Sequence, residues 1–498
     1  RHLGDILLVT ITGGGEVAKG KGRPLIPEEL RAENLAALDC VDWVYVEPRP
    51  TAAELLEDVR PDVYVKGREY EFNADPRFAA ERRAVEDHGG RVVFSSGDVV
   101  FSSSALIAAL EHTADPFHER LTQLTRTPAL SGPRLYERIA GFRGRRVLVV
   151  GETVVDTYVL CDRPEVAGEG PVMTLRPLEK RRYDGGAAVV ARHVAALGGR
   201  PVLVTPLPEG PEGEAFRRRL AGVGVEVVGF SAGTTLPEKQ RFLAGAQKLM
   251  KVDMVEPYVL DQGQQDAFVE TVRAAAAAAG GGGASGCDGA IVADFGLGLF
   301  TPTLTARVCD ALRPLVGVLA GDVSGRRSNL RAMRQLDLLC PSESELREAY
   351  RAHDEGLPAV AWRLLEETGA RASIVTMGAD GLISFERTPE HQRAAGSFPT
   401  RLKAEHVPAL CPVAVDPMGC GDALLATATL SLASGASLLE AGFLGACAAA
   451  VQVQRLGNPP VTGADLRTTI ARLHASHLAL ADTETIAHIG AERARRAS

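Results

Sequence analysis

The sequence predicts an α/β protein of two or three domains, and three observations lead to this prediction. Its 498 residues are too many for a single hydrophobic core. Short apolar runs alternate with helical patterns over residues 1–112, which is typical of a parallel sheet. A second series of the same kind opens at Arg145. We therefore expect a first domain over residues 1–112, a polar, proline-containing linker with one or two helices over 113–143, and a second domain over 144–498.

Apolar runs in the first domain predict strands, and amphipathic patterns predict helices. The strands are expected at residues 5–12, 41–48, 62–67 and 91–96, and the helices at 27–38 and 51–59. In the second domain strands are expected at residues 145–152, 201–207, 289–296, 317–325, 372–381 and 411–416, followed by alanine-rich helices. The low-complexity run 273–286 indicates the end of a helix followed by a loop. The polar tail after residue 462 indicates a helix that serves packing or dimerisation.

Composition excludes several classes of function. The net charge of −8 leaves no basic footprint for nucleic acid. No apolar run has membrane-spanning length, and no signal peptide is visible. The eight cysteines are scattered without a CxxC pair, which indicates reduced thiols in a cytoplasm. Because the first residue is Arg1 and a strand follows almost at once, we expect residues upstream of it.

The stretch VDPMGCGDALLA, residues 415–426, is the strongest candidate for a catalytic motif. Gly419, Cys420 and Gly421 open a helix, so their backbone N–H groups suit a phosphate or the charge of phosphoryl transfer. Asp422 is placed to accept a proton from an attacking hydroxyl. Alone, the motif is better explained by a turn with Asp422 as the helix cap.

Four other motifs accompany it. Asp156 in GETVVDTYV is expected on a loop at a sheet-end cleft, and Gly185-Gly186 opens an amphipathic helix. Glu345 follows a strand on a turn, and Thr376, Gly378 and Gly381 form a second glycine-rich turn. Each alone is explained by a turn, a cap or a solvated acid, but their order over about 320 residues favours a kinase site.

In this order of motifs, residues 145–465 resemble the ribokinase-like (PfkB) carbohydrate kinases, and among them the kinase half of bifunctional heptose kinase/adenylyltransferases. The resemblance implies a ribokinase-like α/β fold that uses ATP and Mg²⁺, with Asp422 as base and the amides of Gly419, Cys420 and Gly421 as anion hole. Glu345 would orient Mg²⁺. It further implies sugar-binding residues Asp156, Gly185, Gly186, Glu169, Arg182, Lys239 and Lys251, and nucleotide-binding residues Thr376, Gly378 and Gly381.

The chain departs from this family at four positions. Val189 and Ser342 stand where the family has Asn, Met418 where it has Thr, and Leu297 where it has Lys. These departures indicate an altered sugar pocket beside an intact phosphoryl-transfer centre. The candidates for binding a distal sugar phosphate, or else solvated surface charges, are Arg181, Arg182, Lys239, Arg241, Lys248 and Lys251.

The first domain carries cations and hydroxyls that suit phosphate recognition: Lys19, Lys21, Arg23, Lys66 beside Gly67, and Ser102, Ser103 and Ser104 at a helix start. Together they resemble the Rossmann-like, cytidylyltransferase-like nucleotidyltransferases, with the two halves in the reverse of the usual order. The resemblance implies that Lys66 and the three serines contact nucleotide phosphates and that Arg31 lies nearby. The HxGH motif of that family is absent, and His2 alone does not replace it, so it lies upstream or this half is inactive.

These observations predict a bifunctional enzyme of sugar-nucleotide synthesis. The second domain would phosphorylate a sugar such as heptose 7-phosphate at its anomeric hydroxyl, and the first would join the product to AMP. Two alternatives stay open: a stand-alone kinase for another sugar or nucleoside with an inert first domain, and a non-catalytic regulator that binds nucleotide or sugar phosphate. The resemblance also implies a homodimer.

Overall fold

The computed structural model describes residues 4–13, 28–38, 41–67, 70, 75–94, 116–168, 170, 172–233, 235–245, 247–279, 286–324, 329–387, 402–411 and 414–475. The chain divides into two compact units, residues 1–100 with 387–403 and residues 101–386 with 404–498.

The described residues of the first unit form two parallel strand pairs and three α-helices. Strands β1 (Leu8–Thr12) and β2 (Trp43–Glu47) pair with each other, as do β3 (Val63–Lys66) and β4 (Arg91–Phe94). The helices are α1 (Glu28–Ala36), α2 (Ala53–Val59) and α3 (Pro76–Glu86). Helix α3 was not predicted; Asp75 caps it by accepting a hydrogen bond from the Arg77 N–H, and Pro76 occupies its first turn. Its buried Phe78 and Val85 pack with Leu56, Val92 and Phe94.

Among its described residues the second unit has fifteen strands and, besides the helical residues 463–475, ten α-helices. The strands are β5 (Arg146–Gly151), β6 (Thr153–Cys161), β7 (Glu165–Val166), β8 (Met173–Thr174), β9 (Pro177–Gly186), β10 (Arg200–Leu207), β11 (Glu226–Ser231), β12 (Glu238–Ala244), β13 (Gln247–Met254), β14 (Cys287–Asp294), β15 (Val316–Val323), β16 (Leu338–Leu339), β17 (Ala372–Thr376), β18 (Leu382–Arg387) and β19 (Leu402–Val407). The helices are α4 (Pro116–Thr125), α5 (Gly132–Ala140), α6 (Ala187–Ala196), α7 (Pro211–Ala221), α8 (Gln262–Ala279), α9 (Pro302–Leu312), α10 (Glu343–Tyr350), α11 (Leu357–Thr368), α12 (Cys420–Ala433) and α13 (Leu438–Gln452).

A large sheet organises this unit, with strand order β11-β10-β5-β14-β15-β16-β17-β18-β19. The strands from β11 to β17 are parallel, and β18 runs antiparallel to β17. Five of its strands lie where the sequence predicts them. The exception is residues 411–416: their described residues form no strand, and the chain reaches α12 as a loop.

A small sheet, β13-β12-β6-β9, was not predicted. Strand β6 pairs parallel with β12 and antiparallel with β9, and β13 pairs antiparallel with β12. Residues 177–182 of β9 are exposed and mostly polar, so they lack the apolar alternation that marks a strand. Asp156 therefore lies in the middle of β6 and not on a loop, which corrects the prediction.

Helices α12 and α13 confirm the prediction of alanine-rich helices. All residues from Ala423 to Ser431 in α12 and thirteen of the fifteen residues of α13 are buried, which is the pattern of helices enclosed on all sides. Gly445 lets them approach closely, because a Cβ there would lie 3.0 Å from the Leu424 side chain.

The segment 113–143 is not a free linker. Its described residues form α4 and α5 and bury Leu130, Leu135 and Phe142 completely in the core of the second unit. The tail also packs on this core: residues 463–475 are helical, with Leu466 and Ile470 buried. Helix α8 ends at Ala279, as predicted for the low-complexity run.

Within the described ranges, no helix has both the length and the apolarity needed to cross a bilayer. The seven described cysteines are free thiols.

We predict that Phe142→Ala lowers the free energy of unfolding of the second unit by about 3–5 kcal/mol, since it leaves a cavity in a closed core. The measurement is urea unfolding followed by Trp362 fluorescence in a Trp43→Phe background, and Val259→Ala, at a side chain that is 86% exposed, is the control. A loss below about 1 kcal/mol would contradict a core role for this segment.

Candidate active site

A cleft of about 400 Å³ in the second unit brings most of the predicted kinase residues together. Residues of the small sheet form part of its lining, namely Asp156, Gly186, Lys239, Arg241 and Lys251. Residues from other parts of the unit complete it, among them Glu345, Thr376, Gly419, Gly421 and Asp422. Sequence reasoning missed three further polar residues of its lining, Asp322, Ser324 and Asn458. Asp322 could have been identified from the sequence, because it is an acid at the carboxyl end of a predicted parallel strand. The only sequence feature that marks Asn458 is its place directly after Gly457, a glycine typical of a loop.

The glycine motif forms the N-terminus of α12. Gly419 is the N-cap residue with φ of +76°, a left-handed conformation, and a Cβ there would lie 2.5 Å from Asn458 Oδ1. Asp422 is the third residue of the helix, and no side chain caps this end. The interpretation of Asp422 as a helix cap is therefore wrong.

The half-buried Asp422 carboxyl has a pKa raised to about 7. Its burial is the main cause, the negative charge of Asp156 adds to it, and Lys239 opposes it. A carboxyl that titrates near neutral pH suits a general base.

Asp156 is buried and doubly bound. It accepts hydrogen bonds from the Arg241 guanidinium and, at 3.2 Å, from Asn458 Nδ2. The neighbouring strand leaves room for it only because position 185 is glycine: a Cβ on Gly185 would lie 2.2 Å from Asp156 Oδ2. Gly186, with φ of +62°, ends β9 and caps α6. The glycine pair thus opens a helix, as predicted, and also makes space for the carboxylate.

Asp322 and Glu345 add two acids to the cleft. Burial raises the pKa of Asp322 well above its usual value, and the charges of Glu345 and Asp422 raise it further. Glu345 lies inside α10 rather than on a turn: its Oε2 accepts the Ser342 backbone N–H at 2.8 Å and the Ser342 hydroxyl at 2.7 Å. Ser342 is the N-cap residue of this helix, a position at which serine is favoured. This explains why the chain can have Ser where the family has Asn.

These acids fit a magnesium ion that keeps several waters. No group of three or more His, Cys, Asp or Glu side chains in the described part of the chain is arranged to enclose a metal. Mg²⁺ is usually held by one or two carboxylates together with substrate phosphates. Asp322 and Glu345 supply such a pair, and their mutual repulsion favours a cation.

Several predicted residues lie outside the cleft lining. Arg181 and Arg182 are exposed on β9, and Arg181 pairs with Glu179. Lys248 pairs with the buried Asp416. The Cys420 thiol, whose pKa burial raises to about 12, lies 3.6 Å from the Ala449 carbonyl oxygen.

Gly378 and Gly381 form the predicted turn after β17, with φ of +61° and +86°. Thr376, at the end of β17, lines the cleft, whereas the two glycines do not. Glu169 lies outside the described residues.

The first unit has a smaller cleft, of about 210 Å³, lined by Lys66 and Glu81 among others. Lys66 Nζ lies 2.6 Å from Glu81 Oε2 and 2.8 Å from the Tyr64 hydroxyl. Burial opposes ionisation of Glu81, but the hydrogen bonds from Lys66 and from the Ala52 N–H outweigh it and lower the pKa of that carboxyl. The charge of Lys66 is thus already matched within the protein.

Of the other predicted residues of the first unit, Arg31 donates to the Thr12 carbonyl oxygen at 2.9 Å. The remaining phosphate-binding candidates, Lys19, Lys21, Arg23, Ser102, Ser103 and Ser104, lie outside the described residues.

Comparison with known proteins gives three findings. Residues 145–460 match the profile of the pfkB family carbohydrate kinases. The chain is 29% identical over 366 residues to the bifunctional protein HldE of Rhodospirillum rubrum, covering 73% of this chain and 68% of the relative. It is 25% identical over 334 residues to HldE of Desulfatibacillum aliphaticivorans, covering 66% and 64%. The chain thus spans about two thirds of the length of these relatives.

Phosphofructokinase-2 from Escherichia coli, in complex with substrates and products, is similar in structure with a TM-score of 0.53 at 20% identity. The match covers 66% of this chain and 99% of that one. At this identity the likeness shows the fold alone, and it confirms the predicted ribokinase-like α/β fold.

We predict that Asp422→Asn stabilises the folded protein at pH 8, by roughly 1–3 kcal/mol, since one unit of raised pKa corresponds to about 1.4 kcal/mol before solvent screening. The folded pKa lies above the unfolded one, so ionisation of Asp422 destabilises the fold increasingly as pH rises from about 4 to about 7. The gain should therefore shrink towards pH 4. Urea unfolding across this pH range measures it, and a gain that does not depend on pH would contradict the raised pKa.

Proposed function

Because the chain belongs to the pfkB family of carbohydrate kinases, we propose that its second unit transfers the γ-phosphate of ATP to the anomeric hydroxyl of a sugar phosphate, heptose 7-phosphate. One observation carries this proposal: a carboxyl with a pKa near 7, Asp422, shares a cleft with the buried Asp156 and with the glycine-rich start of α12. The heptose is proposed from the resemblance of the sequence to bifunctional heptose kinase/adenylyltransferases, and it is supported by the similarity to two bifunctional proteins named HldE.

Each part of the cleft has a role in this reaction. Asp156, held by Arg241 and Asn458 beside Gly185 and Gly186, binds sugar hydroxyls. Asp422 takes the proton of the attacking hydroxyl as the new P–O bond forms, and ADP leaves with the electron pair of the broken bond. The amides of Gly419, Cys420 and Gly421 lie at the positive end of α12 and stabilise the charge that develops on the transferred group.

The remaining residues bind the ends of the two substrates. Lys239 and Lys251 line the cleft from the small sheet and attract the sugar phosphate. Thr376 and the turn at Gly378 and Gly381 receive the nucleotide. Asp322 and Glu345 would hold Mg²⁺, which neutralises phosphate charge when bound.

For the first unit we propose transfer of AMP from ATP to the sugar 1-phosphate, with release of pyrophosphate. The proposal is supported by the cleft around Lys66 and by the word bifunctional in the names of the relatives. Lys66 would contact the phosphates, and Arg31 would lie near them.

One observation favours the second candidate, a kinase with an inert first unit. Lys66 is neutralised by Glu81, which reduces its attraction for phosphate. By contrast, the structure gives ordinary reasons for two departures that suggested a regulator. Val189 is completely buried in α6, and Ser342 caps α10.

We also propose a homodimer that pairs through the small sheet. Apolar side chains there are about half exposed, namely Leu178 on β9 and Met250 and Met254 on β13. In the strand order β13-β12-β6-β9 these are the two edge strands, and an edge strand offers unpaired backbone groups to a second copy of the chain.

Asp422→Asn should lower kcat for sugar-dependent ADP release by about 10²–10⁴-fold, the range of a lost general base. Wild-type kcat/KM should fall as pH decreases below about 7, because the base becomes protonated. The assay is a panel of heptose 7-phosphate, fructose 6-phosphate and ribose with ATP and Mg²⁺. Asp310→Asn, at an exposed acid of α9, is the control, and full activity of Asp422→Asn would refute the kinase assignment.

Glu81→Gln should lower the KM for ATP in pyrophosphate release about tenfold, the ratio produced by 1.4 kcal/mol, because it leaves the Lys66 charge unmatched. Heptose 1-phosphate is the acceptor, and Glu86→Gln, at an exposed acid of the same helix, is the control. No pyrophosphate from either wild type or Glu81→Gln would instead support the inert first unit.

A further inference from the structure

The carboxylate of Asp416 is completely buried at the entrance to the glycine motif. It accepts four hydrogen bonds. Two come from side chains of the small sheet, the Tyr158 hydroxyl and Lys248 Nζ, each at 2.7 Å. The other two come from the backbone N–H groups of Met418 and Gly457, each at 3.2 Å.

These four donors belong to segments that the kinase reaction needs together. Met418 leads into the N-terminus of α12, where the anion-binding amides lie. Gly457 precedes Asn458, which donates to Asp156. The hydroxyl and the ammonium come from β6 and β13 of the small sheet, which carries the sugar-side residues. One buried carboxylate therefore joins the sugar side of the cleft to its phosphoryl side.

Lys248 is the charged partner in this junction. Its side chain is 37% exposed, whereas that of Asp416 is fully enclosed. Burial opposes ionisation of Asp416, but the hydrogen bonds from Lys248 and Tyr158 outweigh it and lower the pKa of the carboxyl. Arg241 and Lys251, neighbouring cations of the small sheet, pair with other acids. Among the described residues, Lys248 is the only cation within 4.0 Å of Asp416.

We propose that Lys248 is a positioning residue for phosphoryl transfer. Its ammonium neutralises Asp416 and so fixes the backbone from Asp416 to Gly419, which sets the anion-binding end of α12 relative to the sugar bound on the small sheet. The inference rests on the proposed kinase function and adds to it a residue that touches neither substrate.

The physical reason is the cost of a buried charge without a partner. Once the ammonium is removed, the Asp416 carboxylate must take up a proton, admit water or move, and each disturbs the two backbone N–H groups that it holds. A displacement of about 1 Å at the reacting centre costs about 10²-fold in rate. The ion pair between Asp156 and Arg241 does not involve Asp416 and stays in place, so the KM for the sugar should change less than kcat.

The test is chemical rescue of Lys248→Ala. Because the ammonium is partly exposed, its removal leaves a space that a small amine can enter from solvent. We expect kcat to fall about 10²-fold, with the sugar KM within about threefold of wild type, and ethylammonium chloride to restore at least tenfold of the loss. Sodium chloride at the same concentration should restore none of it. Unchanged kcat, or equal rescue by the two salts, would overturn the proposal.

Two further measurements complete the test. Lys180→Ala, at an exposed lysine of β9, is the matched control and should keep wild-type kcat. If Lys248→Ala does not fold, Lys248→Met keeps the packing of the stem and should show the same loss of kcat. Wild-type kcat in Lys248→Met would overturn the proposal.

Hydrogen exchange separates this inference from the proposed function. In Lys248→Met, peptides covering residues 414–424 should exchange faster than in wild type without any substrate. Faster exchange in a chain that consumes no ATP would refute the kinase reaction but support the link between Lys248 and this loop. Unchanged exchange would refute the link even if the wild type is an active kinase.

Discussion

The crowding of carboxyl groups at the carboxyl end of the large sheet is the constraint on which the rest of the candidate site depends. Asp322, Glu345 and Asp422 line one cleft, and among the described residues none of them forms an ion pair. Burial raises the pKa of Asp322 and of Asp422, and negative neighbours add to the effect: Glu345 and Asp422 at Asp322, and Asp156 at Asp422. Burial and this neighbouring charge make Asp422 basic enough to accept a proton near neutral pH, and the unpaired acids also favour the arrival of a cation with the phosphates.

At two glycines near these acids the backbone lies so close to a polar side chain that no Cβ fits. At Gly185 a side chain would collide with Asp156, and at Gly419 it would collide with Asn458. Asn458 joins the two places, because its amide nitrogen donates to Asp156 while its oxygen faces Gly419. The glycines of both motifs are therefore needed for contact between side chain and backbone as well as for turns, and the sugar side and the phosphoryl side of the cleft share one asparagine.

The sequence predicted those parts of the site that depend on local chain geometry. A glycine pair before an apolar helix and a Gly-x-Gly-Asp run are recognisable without tertiary structure, and both open helices here, at Ala187 and Cys420. The small sheet was missed because its pairing is long-range: residues 155–161 of β6 pair with 238–244 of β12. Its strand β9 is too polar to show a pattern. Likewise, a few apolar residues in the polar segment 113–143, such as Phe142, suffice to pack it on the core.

The surroundings of two carboxylates, Glu81 in the first unit and Asp422 in the second, act on their charge in opposite ways, and this contrast bears on the proposed functions. In the first unit Glu81 receives a lysine, a tyrosine hydroxyl and a backbone N–H, so its charge is fully matched and its pKa is lowered. In the second unit Asp422 does not cap its helix, and burial together with the negative charge of Asp156 raises its pKa. Protonation stabilises a carboxylate little when its charge is already compensated, whereas it stabilises a poorly solvated carboxylate much more. Asp422 is a good base because its charge is poorly solvated, whereas Lys66 attracts phosphate weakly because Glu81 already compensates its charge. The kinase half of the proposal therefore has the stronger physical support.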